Sequence, residues 1–343
     1  MTVASSTAGP DLHGDGERQL FFVLLLTATA IPYVLFPLLI HVLPRAAATD
    51  GIVHGWLFLG AGCHVAASFF FYDDRDVTGF MRDGRSARFL FVPIALVALS
   101  GIAFTVGDQT FRNYAIVAFW VWQVHHFTRQ NHGVLAFAAR ADGMPVTTAE
   151  RTAITLTNIA AVLATLVFVT PLTKTVLAPH AWLIYAVALG VFACAWIAYG
   201  LSRPLRRLRA APWRATIMLA LMGFYLPLFV FTDPFSAVYI FLTAHGLQYL
   251  VFMYFVARRP ADVRARRLRS LVAFTLLGGA VIYLLQRPAI WTTYGEGLLG
   301  LSYGIIMWHF VLDAGVWRLS EPFQRSYMSD RFTFLAAARQ PRS

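Results

Sequence analysis

Residues 20–44 read LFFVLLLTATAIPYVLFPLLIHVLP, 25 consecutive positions without Asp, Glu, Lys or Arg. About 20 apolar residues cross the ~30 Å hydrocarbon core of a bilayer as a helix, so this stretch is long enough to span one. A secretory signal has an apolar region of only about 7–15 residues behind a basic start. Here Arg18 is the single basic residue ahead of the run, and Pro32 and Pro37 interrupt it. Although Ala46-Ala47-Ala48 has the form of a cleavage site, the stretch reads as a first spanning helix.

Nine further windows lie at 52–72, 88–107, 110–139, 150–173, 181–201, 213–232, 234–257, 268–286 and 294–317. The expected fold is therefore all-α, a polytopic membrane protein of about ten helices over residues 19–319. Residues 1–18 are expected to be a disordered cytoplasmic N-terminus, and 320–343 a cytoplasmic or interfacial tail. Composition agrees: of 343 residues 58% are apolar and 13% charged, with a mean hydropathy of +0.61. Soluble domains carry about 25% charged residues, so a soluble enzyme is excluded.

The net charge of +11 would suggest nucleic acid in a soluble chain. Its distribution points to topology instead, and no nucleic-acid partner is expected. Alternating the loops between two compartments puts 23 of the 28 basic residues on one side and 4 on the other. By the positive-inside rule both termini are cytoplasmic, in an inner membrane. Arg129 is the exception, placed inside a helix, where such a charge costs about 2.5–3.5 kcal/mol.

Ionisable groups at membrane depth mark functional sites by default. Six of the ten histidines lie there: His64, His125, His126, His132, His245 and His309, in the second, fourth, eighth and tenth windows. Helical spacing gives His125, Arg129 and His132 one face of the fourth window, and His126 with Gln130 a neighbouring one. On an ideal helix His126 points about 100° away from His125. Gln248 and Tyr249 come about one turn after His245, and Asp313 stands at i, i+4 from His309.

Several neutral imidazoles with a carboxylate suit iron, copper or zinc, with nearby polar groups orienting the ligands. Structural zinc sites usually recruit cysteine, and Cys63 and Cys194 are isolated in apolar stretches, so iron is favoured, as one or two ions. The expected ligands are His64, His125, His126, His132, His245, His309 and Asp313. Arg129, Gln130, Gln248 and Tyr249 are expected to contact substrate or orient ligands, with Arg129 facing Asp313 or an anionic substrate group. Trp120, Trp122 and Trp308 neighbour the histidines and can wall an apolar pocket. Axial ligation of haem, proton-coupled transport and a structural role in a larger membrane complex remain open alternatives. The sequence has no GxGxxG, GxxxxGK[ST] or GxSxG motif to support nucleotide or serine-hydrolase chemistry.

This design resembles the histidine-rich integral-membrane non-haem iron oxygenases: the fatty-acid hydroxylase and desaturase group, and the bacterial carotene-cleaving dioxygenases of the Brp/Blh type. The HxxxH and HxxHH boxes of the hydroxylases are absent, and His125-His126, His132 and His245-Gly246 echo only their HH and HG pieces. The resemblance implies metal-dependent oxygen chemistry on a hydrophobic, lipid-like substrate. The expected partners are membrane lipids, the hydrophobic small-molecule substrate, and an electron-donor protein or a larger membrane complex. The resemblance assigns no residue roles.

Overall fold

In the computed structural model, residues 12–42, 54, 55, 57–168, 177–201, 211–231 and 234–337 are described. All regular structure among them is helical. Seven helices are long and apolar enough to cross a membrane. They are α1 (Leu12–Val42), α4 (Ala87–Val106), α6 (Thr148–Phe168), α7 (Ala181–Leu201), α10 (Pro234–Ala257), α11 (Ala261–Leu285) and α13 (Gly297–Val316).

The three other windows are helical but fall short of that test. α2 (Phe58–Tyr72) has fewer than 18 residues. α5 (Gln109–Ala141) is long, but it carries the polar run from Gln123 to His132. The seventh window is divided into α8 (Pro212–Met222) and α9 (Pro227–Val230) by a 3₁₀ turn over Gly223–Tyr225. Pro227, which lacks a backbone donor, begins the second piece.

Neither end of the chain is loose where it is described. α1 begins at Leu12, so residues 12–18, expected to be disordered, form its first turns. Glu17 there is buried and pairs with Arg258 and Arg259 at 2.8 Å each. The short helices α14 (Pro322–Arg331) and α15 (Phe334–Ala337) pack Tyr327, Met328, Phe332, Phe334 and Leu335 into the core. The physical reason is an apolar, aromatic pattern within an otherwise polar tail.

Ion pairs sort to the two ends of the bundle as the loop charges do. At one end Arg18 meets Asp142 (2.9 Å), Arg214 meets Glu150 (2.6 Å) and Arg267 meets Asp74 (2.6 Å). Asp74 also caps α3 (Arg75–Arg82), accepting from the backbone N–H of Asp76 and Val77. At the other end Arg112 meets Glu296. Glu17 bonds Thr333 at 2.6 Å, which puts the beginning of α1 and the C-terminal helices at the same end.

α2 is wedged between α10 and α11 by close backbone approach. A Cβ on Gly62 would lie 2.6 Å from the Gly279 carbonyl oxygen, and one on Gly246 would lie 2.9 Å from the Gly60 carbonyl oxygen. Small residues permit such contacts between membrane helices, where there is no hydrophobic drive to pack. α13 meets α4 in the same way, with Gly300 and Gly304 against Ser100 and Val97. The first turns of α2, Phe58–Cys63, are π-helical and end at His64. The wider π turn resets the direction of the rest of α2, a device common at functional sites.

Candidate metal centre

Four helices each contribute one buried imidazole to a single cluster: His64 from α2, His126 from α5, His245 from α10 and His309 from α13. Ring centres are separated by 4.8 Å (His64–His245), 5.2 Å (His245–His126), 4.9 Å (His126–His309) and 5.0 Å (His309–His64). The four rings thus form a closed quadrilateral, with His245 and His309 6.5 Å apart across it. Adjacent planes are nearly perpendicular, at 72–86°.

The spacings between neighbouring rings are those of imidazoles that share a metal ion. With metal–nitrogen bonds of about 2.0–2.1 Å a ring centre stands about 3.2 Å from the metal, so neighbouring rings lie about 4.5–5.2 Å apart and opposite rings about 6.4 Å. Ligand atoms of His64, His245 and His309 lie within 4.8 Å of one another, as do those of His126, His309 and Asp313. The protein leaves many of these nitrogens unsatisfied. Both nitrogens of His245 and of His309, Nδ1 of His64 and Nε2 of His126 are buried without a hydrogen-bond partner. Orphaned buried polar atoms are costly, and here they gather into two adjoining groups that share His309, each of a size a ligand set requires.

Asp313 completes the donor set. Its Oδ2 lies 3.5 Å from Nε2 of His309 and 3.7 Å from Nε2 of His126, beyond good hydrogen-bond length. The carboxylate is held by Tyr249, whose hydroxyl donates to Oδ1 at 2.8 Å. Gln130 and Gln248 stand beside the cluster as a clasp. Gln130 Nε2 donates to the His245 carbonyl (3.3 Å) and to Gln248 Oε1 (3.1 Å), and Gln248 Nε2 donates to Thr29 Oγ1 (2.7 Å). This chain ties α5, α10 and α1 together at the level of the imidazoles. Thr29 gave no signal in the sequence, being one hydroxyl in an apolar run.

The expected residues of α5 separate by face. His126 and Gln130 turn inward, whereas His125 and Arg129 are exposed and His132 is half-buried. Neither His125 nor His132 belongs to a group of close ligand atoms among the described residues. Arg129 does not meet Asp313, because that carboxylate is buried and directed at Tyr249 and the histidines. The reason is steric and electrostatic: one face of α5 packs against α10, and the bulky cation takes the outside.

An aromatic wall closes the cluster between α5 and α13. Phe310 stacks on His126 with ring centres 4.3 Å apart, Phe119 lies beyond it at 6.3 Å, and the half-exposed Trp122 lies 5.6 Å from it. Trp308 instead donates to the Tyr72 hydroxyl at 2.7 Å, locking α13 to α2. Two open depressions, each of about 600–700 Å³, lie elsewhere, one near Arg140 and Arg325 and one near Arg112 and Glu296.

The architecture is that of a membrane-type helical bundle around a buried histidine cluster able to hold a metal ion. Among known families, curated proteins and solved structures, none matches the chain.

Proposed function

We propose that the protein is a ten-span, inner-membrane metalloenzyme with both termini cytoplasmic, and that its four clustered imidazoles hold a redox-active ion, iron above copper or zinc. The observation that carries this reading is the closed quadrilateral of His64, His126, His245 and His309, with unsatisfied nitrogens and one carboxylate. The donors are nitrogen and oxygen only, and Cys63 packs away from them, against Gly279. Imidazole with carboxylate is a donor set iron accepts readily. Haem fits poorly: around either opposed pair, His245 with His309 or His64 with His126, the other two rings occupy the plane a porphyrin would need.

Bound iron supplies a centre at which dioxygen and electrons meet. The chain's residues do the rest. Four helices fix the imidazoles, Tyr249 orients Asp313, and the Gln130–Gln248–Thr29 clasp holds the helices in register. Phe119, Trp122 and Phe310 keep water out and give an apolar substrate a lateral approach from the bilayer. The reaction class is oxidation or oxidative cleavage of a lipid-like molecule. A donor protein at the Arg-rich end would serve a reaction that consumes external electrons.

Metal analysis of protein purified from its own membranes tests the reading. The expected result is at least one iron per chain without a Soret band. Iron, copper and zinc together below about a tenth of an equivalent would overturn it.

A further inference from the structure

The cluster accounts for one face of α5 and leaves the other without a role. Trp122, His125, Arg129 and His132 recur there at steps of three and four, a continuous stripe along the helix. Trp122 is 38% exposed, and His125 and Arg129 are exposed too. At 1.5 Å per residue Arg129 lies about 18 Å from the end of α5 at Ala141, well inside the helix.

Arg129 forms no ion pair among the described residues. Its neighbours are basic residues: His125 and His132 share its face, and Arg151 comes close enough to His132 to act on it electrostatically. Asp313, the carboxylate expected to meet Arg129, is committed inward to Tyr249. Beside the stripe, the Cα of Gly133 faces open space. A guanidinium at this depth, with basic neighbours and room next to it, calls for an anion from outside the chain.

We infer that Arg129, with His132 and Arg151, binds the acidic headgroup of a long-chain amphiphile whose apolar chain runs along α5 to Trp122. Guanidinium groups pair bidentately with carboxylate or phosphate, which makes Arg the suited residue. Trp122 stands seven residues, about 10.5 Å, from Arg129 along the helix. The middle of a fatty chain anchored at Arg129 therefore reaches Trp122, and there Phe310 separates it from His126. The inference deepens the proposed function by naming the substrate class as a long-chain acid, and in calling this ligand a substrate it rests on that reading.

The test is binding of 9,10-dibromostearate to the purified full-length protein, read by quenching of tryptophan fluorescence, with Trp122→Phe identifying the share due to Trp122. The acid is expected to quench Trp122 with at least ten-fold higher affinity than the matching dibromo alcohol. Arg129→Gln loses that preference, Arg129→Lys keeps part of it, and Arg82→Gln on α3 leaves it unchanged. Equal affinity for acid and alcohol, or an unaltered Arg129→Gln, overturns the inference. So does displacement of the acid by phosphatidylglycerol at equal concentration, which would make the site one for bulk lipid. Metal content is measured on the same samples. Selective acid binding without metal would defeat only the metal reading, and metal without selective binding would defeat only this one.

Discussion

The hydroxyl of Tyr249 on α10 donates a 2.8 Å hydrogen bond to Oδ1 of Asp313 on α13. That bond leaves Oδ2 facing the Nε2 atoms of His126 and His309. One oxygen is used by the protein to orient the group and the other is turned toward the imidazoles, the arrangement seen when an outer hydrogen bond sets a ligand. Tyr249→Phe keeps the ring, its packing 5.1 Å from His309, and the fold. It is expected to weaken metal binding about 10–100-fold, the usual effect of losing such a partner. Competition with a chelator of known affinity measures it.

The two faces of α5 make a sharper comparison. His126→Ala is expected to remove most of the bound metal, as are His64→Ala, His245→Ala and His309→Ala. His125→Ala and His132→Ala are expected to retain it at wild-type stoichiometry. Elemental analysis of the six variants decides, since a purely structural cluster would show no such division.

Gly62 and Gly279 let α2 approach α11 closely enough to seat His64. Gly62→Ala puts a methyl group 2.6 Å from a backbone oxygen that cannot yield without moving the helix. Overpacking of this kind costs about 1–3 kcal/mol. Thermal denaturation in detergent should show that loss, accompanied by reduced metal content. Gly79→Ala on exposed α3, where a Cβ meets nothing within 4 Å, serves as the control.

Acid sensitivity should trace in part to Asp74, outside the spans. Burial opposes its ionisation, but the hydrogen bond from Tyr327 and the charges of Arg267 and Arg331 prevail and hold its carboxyl below the usual range. A carboxyl depressed on folding contributes stability that is complete above its unfolded value of about 3.9 and is lost as pH falls through the folded value. Asp74→Asn, which unpairs the buried Arg267, is expected to cost about 3 kcal/mol at pH 7. The deficit relative to wild type should narrow below about pH 4, as melting curves at the two pH values would show.

Much of this architecture was legible in the sequence because the bilayer imposes simple rules. Apolar windows located the helices, although α1 starts eight residues and α11 seven residues ahead of its window and the seventh window is split. Several loop arginines prove to tie segments together at the bundle ends, as Arg258 with Glu17 and Arg267 with Asp74. The choice between faces of α5 was not legible. Both faces carry histidine and a further polar group, and helical spacing alone ranks the stripe of His125, Arg129 and His132 as the richer one. The outward place of Arg129 runs against the expectation that a charge at membrane depth faces the bundle interior. Nor could periodicity reveal the π turn before His64 or the Thr29 end of the clasp, which depend on contacts between distant segments.

Metal held by the clustered imidazoles of His64, His126, His245 and His309 is what the proposed function depends on. X-ray absorption at the metal edge of the purified protein tests it most directly. The expected spectrum has a first shell of nitrogen and oxygen at about 2.0–2.2 Å, with the outer scattering of imidazole rings, lost in the His64→Ala, His309→Ala double variant. A shell dominated by sulfur or water, or a spectrum unchanged in the double variant, would contradict it.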